Sequence, residues 1–151
     1  MRAAFLVGRA ILGGFFIQNG LHHFQDPKPL TQYAAAKGVP APDVAVAVSG
    51  ALALVGGLSV LTGTKPRLGL AAIVGFLVPV TLQIHRFWEA EDQLARMSET
   101  VNFMKNTALV GAALMLMQVP EPWPASIDSL LSGDEDMYLR VDSRDRLRMM
   151  A

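Results

Sequence analysis

Residues 44–63 read VAVAVSGALALVGGLSVLTG, twenty consecutive positions without a charged side chain. A helix rises about 1.5 Å per residue, so this run is long enough to cross a hydrocarbon layer about 30 Å thick. Residues 68–84, LGLAAIVGFLVPVTLQI, repeat the pattern after the short turn Thr64-Lys65-Pro66-Arg67. Two apolar helices joined so tightly must run antiparallel, and the rest of the chain is read outward from that pair. Upstream, Ala3 to Leu21 is apolar apart from Arg9. Downstream, Thr107 to Val119 is short, but adding Thr100 to Asn106 gives span length if Lys105 faces protein or snorkels to the interface. The expectation is an all-α bundle of four transmembrane helices, with short interfacial helices in the loops.

Composition agrees with a bilayer as solvent. Hydrophobic residues make up 52% of the 151 positions and charged residues only 17%, against about 25% charged in soluble domains; mean hydropathy is +0.34. Formal net charge is zero and no basic run is interleaved with aromatics, which sets nucleic-acid binding aside. There is no cysteine, so disulfides, thiolate metal sites, iron–sulfur clusters and dithiol redox cycles run by this chain are excluded. No glycine-rich phosphate loop or nucleophile motif is present, and no complete catalytic motif is found. The spans show no inverted internal symmetry, which argues against a transporter.

The first apolar segment is read as a retained helix. Arg9 interrupts it early, and Gln18-Asn19-Gly20-Leu21-His22-His23 is a poor cleavage context. Four crossings would put both termini on the side of the Thr64–Arg67 turn, with Arg2, Arg9 and the tail arginines. The positive-inside rule then favours cytoplasmic termini, and the expected location is a bacterial inner membrane. Arg9 is expected to snorkel to lipid phosphate, and Trp123 to anchor at the interface. Pro120, Pro122 and Pro124 end the last helix. The chain thus divides into a membrane domain, residues 1–119, and a polar tail, residues 120–151, with a short amphipathic piece at Ile127–Leu131 and a charged segment at Asp134–Arg148.

Several stretches in order are similar to the DoxX family of small membrane proteins. They are Gly20-Leu21-His22-His23-Phe24 and Lys37-Gly38-Val39-Pro40-Ala41-Pro42, which leads into the second span. Gly56-Gly57-Leu58 follows, then Gln83-Ile84-His85-Arg86-Phe87-Trp88, and then Asn102-Phe103-Met104-Lys105-Asn106. The resemblance covers roughly the first 119 residues. It implies a four-helix bundle acting beside redox enzymes, some relatives being subunits of a thiosulfate:quinone oxidoreductase and others assembly partners. Relatives often carry a glutamate in the second span just before the glycine pair; here Ser49 to Val55 contains no acid.

Alternating spans bring the ends of the first and third helices and the start of the fourth to one membrane face. Gln18, Asn19, His22, His23, Gln83, His85, Asn102, Lys105 and Asn106 therefore form the candidate ligand-binding set. Polar groups at membrane depth are costly unless paired, so the cluster is either a satisfied structural or docking network or a site. A quinone is the candidate cofactor, with imidazole and amide groups meeting its oxygens. A metal site is disfavoured because adjacent His22 and His23 lie about 100° apart around a helix. Two caps are expected over the cluster: Pro27–Pro42, with Leu30, Tyr33 and Ala34 as its apolar side, and a helix from Trp88 to Phe103 with Phe87, Met97, Val101 and Met104 turned inward. The functional expectation is an accessory subunit or assembly partner of a redox or respiratory enzyme, in the lipid bilayer and with self-association left open. The alternative is a quinone-interacting subunit of an oxidoreductase using His22, His85, Asn102 and Lys105.

Overall fold

A computed structural model describes residues 2–127 and 129. Among them the chain forms five α-helices: α1 (Arg2–Gln25), α2 (Pro27–Ala36), α3 (Pro42–Thr62), α4 (Pro66–Ile84) and α5 (Gln93–Leu116). One 3-10 turn, Phe87–Glu89, joins the last two, and no strand is present among the described residues. Proline opens α2, α3 and α4, where its fixed φ suits a first turn and its missing N–H leaves no bond unmade. Gly63, in the left-handed region at φ 72°, ends α3 and frees the chain to reverse into α4.

Three segments are long and apolar enough to cross a membrane: Ala3–Gln25, Pro42–Thr62 and Pro66–Glu89. The protein is an integral membrane protein built on these three. The last helix departs from expectation in two ways. It is one unbroken helix from Gln93, started by the Asp92 carboxylate accepting from the Ala95 N–H at 2.8 Å, and no proline interrupts it before Leu116. The separate cap from Trp88 to Phe103 is therefore absent. Its orientation is also reversed: Met97, Val101 and Met104 are 67%, 58% and 62% exposed, while Glu99, Asn106 and Ala113, seven residues apart, are buried. A bilayer removes the penalty for leaving methionine and valine outside, so the polar stripe turns in.

The helices pack in a row, α1 on α3, α3 on α4 and α4 on α5, while the backbones of α1 and α5 scarcely approach one another. The α1–α3 seam is the most extensive. A methyl on Gly13 would lie 2.9 Å from the Gly57 carbonyl oxygen, and one on Gly57 would lie 2.7 Å from that of Gly13. Gly20 and Gly50 repeat this one heptad along each helix. In lipid, close backbone approach replaces the hydrophobic effect as the reason for helices to associate.

Behind α5 the chain folds back onto the bundle. Trp123 is 1% exposed and packs edge-on against Phe5 at 5.2 Å, so it belongs to the core with Phe16, Val60, Leu70 and Ala113 and is not an interfacial anchor. Arg9 does not snorkel either. Its guanidinium donates to the carbonyls of Pro124 and Ala125, both at 2.9 Å, in the segment that folds back after α5. Arg67 adds a second tie, its Nε donating to the Met117 carbonyl at 3.1 Å and its backbone N–H to the Glu121 carboxylate at 3.1 Å. These contacts plug the end of the bundle that holds the α1 start. The expected charged segment Asp134–Arg148, and most of the amphipathic piece at Ile127–Leu131, lie outside the described residues.

Candidate functional site

At the other end, the last turns of α1 and α4, the start of α3, the first half of α5 and the short α2 surround a cavity of about 450 Å³. Its walls are apolar, including Phe15, Leu30, Val46, Leu52, Phe76 and Val80. The polar side chains along it are Asn19, His23, Gln83, His85, Lys105 and Asn106, together with Tyr33 and Ser49. Gln18, His22 and Asn102 from the candidate set do not line it. Gln18 and His22 sit on exposed positions of α1, as the 100° step between neighbouring helical residues demands. Asn102 accepts from the Lys105 ammonium at 3.0 Å.

The polar groups differ in how far they are satisfied. The Ser49 hydroxyl donates to the Val46 carbonyl at 3.0 Å, and the Asn19 amide donates to the Phe15 carbonyl at 2.9 Å. His23 Nδ1 lies 2.7 Å from the Asn19 carbonyl oxygen. A carbonyl cannot donate, so Nδ1 carries the proton. The ring is fixed further by edge contact with Phe76 at 5.8 Å and by Gly50, where any side chain would strike the His23 Cβ. Asn106 is only 6% exposed, and its amide has no hydrogen-bond partner among the described residues. Within α4, Pro79 has no N–H for the Gly75 carbonyl, and both residues line the cavity.

Behind the cavity wall stands a group that the sequence did not single out. Glu99, 9% exposed, receives the Tyr33 hydroxyl at 2.9 Å and the Lys37 ammonium at 2.7 Å on Oε1, and His85 Nδ1 at 2.7 Å on Oε2. Glu99 lies in the second turn of α5, ahead of the apolar stretch of that helix. Burial by itself would raise its pKa, but the hydrogen bonds from Lys37, His85 and Tyr33 outweigh it and hold the carboxyl at about 2. The same contacts push Lys37 up, chiefly through its bond to Glu99. Tyr33 is also raised, by burial and then by the neighbouring carboxylate. Arg86 joins by donating to the Lys37 carbonyl at 2.6 Å and to Glu89 at 3.0 Å. The short helix α2 is thus pinned across the cavity through Tyr33 and Lys37.

Tyr33 and Lys37, four residues apart, and Glu99 and Asn106, seven apart, each share a helix face. That spacing was the available signal for this cluster. It was overridden by the apolar spacing of Met97, Val101 and Met104. Glu99 also supplies an acid to this end of the bundle from α5, where Ser49–Val55 of α3 has none. Among the described residues no three His, Asp or Glu side chains gather in a way that would hold a metal ion.

A family model described as DoxX matches residues 4–86, which takes in α1 to α4 and stops short of α5. No curated protein and no solved structure matches the chain.

Proposed function

Because the chain belongs to the DoxX family, we propose that it is a membrane subunit working beside a redox enzyme, and that its cavity takes the headgroup of a lipid-soluble, quinone-type molecule. The observation that carries this reading is the Asn106 amide, 6% exposed and without a partner, on a cavity of about 450 Å³ with mostly apolar walls. The polar atoms of this amide are not sealed away, so they remain open to a ligand entering the cavity. A purely structural cluster would pair it, whereas a site leaves it for a ligand. The volume falls within the range of about 300–1,000 Å³ usual for small-molecule sites, and few polar groups among many apolar ones is the usual lining.

A quinone fits these residues. Its ring suits the Phe15, Leu52 and Phe76 walls, and its oxygens suit the amide N–H groups at the polar end. Such a molecule, when bound, carries two electrons and two protons. The chain has no cysteine with which to exchange electrons, so in this reading they pass to or from the partner enzyme. Asn106 and Gln83 orient the headgroup through their amides, His23 and His85 border it, and α2 screens it from water. We read α5 as a fourth crossing over residues 100–119, with Lys105 at the polar end, both termini cytoplasmic, and a bacterial inner membrane as the location. The residues after Pro120 form a tail that follows the membrane domain.

The test is purification from native membranes in mild detergent, with mass spectrometry of extracted small molecules and of co-purifying proteins. The expected result is a retained quinone that is lost in Asn106→Leu while helical content is unchanged, together with a redox enzyme in stoichiometric amount. A partner enzyme without any lipid-soluble ligand would count against the cavity reading and leave an accessory protein. Retention of the same ligand by Asn106→Leu would also count against it.

A further inference from the structure

The quinone-type reading leaves open which redox form of the ligand the cavity is built for, and the committed protons of its lining answer that. His23 gives its Nδ1 proton to the Asn19 carbonyl. His85 gives its Nδ1 proton to a Glu99 carboxylate that has no proton to return. Tyr33 gives its hydroxyl proton to the same carboxylate. All three line the cavity; the phenolic oxygen also faces the Lys37 ammonium as a hydrogen-bond partner, whereas neither histidine Nε2 has a donor partner among the described residues. In a neutral imidazole whose Nδ1 carries the proton, Nε2 is an acceptor only. The Gly75 carbonyl, deprived of its helical donor by Pro79, adds a third acceptor.

Donors are present as well: the Lys105 ammonium keeps two N–H bonds beyond the one given to Asn102, and Asn19 keeps one amide proton beyond the one given to Phe15. Asn106 and Gln83 have amides that can act either way. The geometry points to a cavity that selects the hydroxyl-bearing form of its ligand, a lipid-soluble aromatic diol of the hydroquinol type, over the dicarbonyl form. A diol offers two O–H donors to lone pairs that otherwise face apolar wall. A dicarbonyl can accept from the amides and the ammonium but leaves the imidazole nitrogens unpaired, whereas a hydroxyl can serve both. Glu99 is the positioning residue: by taking protons from His85 and Tyr33 it sets the hydrogen-bonding sense of the site without lining it.

The inference rests on the ligand-cavity reading, and one experiment separates the two. The full chain in lipid nanodiscs is titrated with a decyl-tailed benzoquinone and, under argon, with its hydroquinol, and both dissociation constants are measured by calorimetry. The expected result is hydroquinol binding about tenfold tighter, as the loss of one or two hydrogen bonds would give. Glu99→Gln can donate as well as accept, so it lets the His85 proton move to Nε2. In that variant and in His23→Phe the preference should fall to within about threefold of unity while the quinone still binds. Equal binding of the two forms, or tighter quinone binding, by the unmodified chain overturns the selectivity and leaves the cavity reading intact. Binding of neither form overturns both.

Discussion

Glu99 lies near the middle of the only ionised network described inside this bundle, and its removal should be felt in two places. Three donors would lose their shared acceptor, so Glu99→Ala should destabilise the protein by on the order of 2 kcal/mol. It should also release α2, seen as faster hydrogen–deuterium exchange across Pro27–Ala36 than across α3. The pH dependence follows from the sign of the shift. The carboxyl sits near 2 in the fold against 4.5 for the free side chain. Its stabilising contribution is therefore complete above about 4.5 and is lost as pH falls toward 2. Thermal unfolding in detergent should show the gap between the native chain and Glu99→Gln closing over that window; a constant gap would mean the carboxylate is not held by these partners. The candidate residues were legible as one end of the bundle because alternating helices bring their ends together. Which of them line the cavity was not legible, since it turns on helix rotation: His23 lines it and its neighbour His22 does not.

At the scale of the helix, the two apolar spans announced themselves by length and lack of charge, and α1 did so despite Arg9. The last helix did not, for a physical reason. Apolar residues were assigned inward, as in water, whereas lipid accepts Met97, Val101 and Met104 outside and it is Glu99 and Asn106 that need shelter. Trp123 was misplaced for a related reason, because a tail that folds back leaves no mark in hydropathy. The glycine seam offers a sharper test. Gly20→Ala would bring a methyl to 2.6 Å from the Leu54 backbone nitrogen, where nothing flexible can yield. Thermal unfolding should report a loss of about 1–3 kcal/mol. Gly14→Ala, facing open space, should be neutral or slightly stabilising. On the plugged end, Arg9→Gln removes two charge-assisted bonds to Pro124 and Ala125. Limited proteolysis should then cut the chain after Met117 faster than in the native protein, with a stability loss of about 1–3 kcal/mol.

For the whole molecule, the absence of cysteine makes topology directly measurable. Single cysteines at Leu94 and Pro120, both exposed and on either side of residues 100–119, should react with a membrane-impermeant maleimide from opposite sides of sealed vesicles if α5 crosses. Labelling of both from one side would leave three crossings. The row of helices bears on how such a protein would meet its ligand. With the α1 and α5 backbones apart, the tail plugging one end and α2 pinned over the other, the least obstructed approach to the cavity runs sideways, from within the lipid. Occupancy would then follow the ligand's mole fraction in the bilayer and not its vanishing concentration in water. A headgroup contact of modest strength would suffice, because the hydrophobic transfer has already been completed before the two meet.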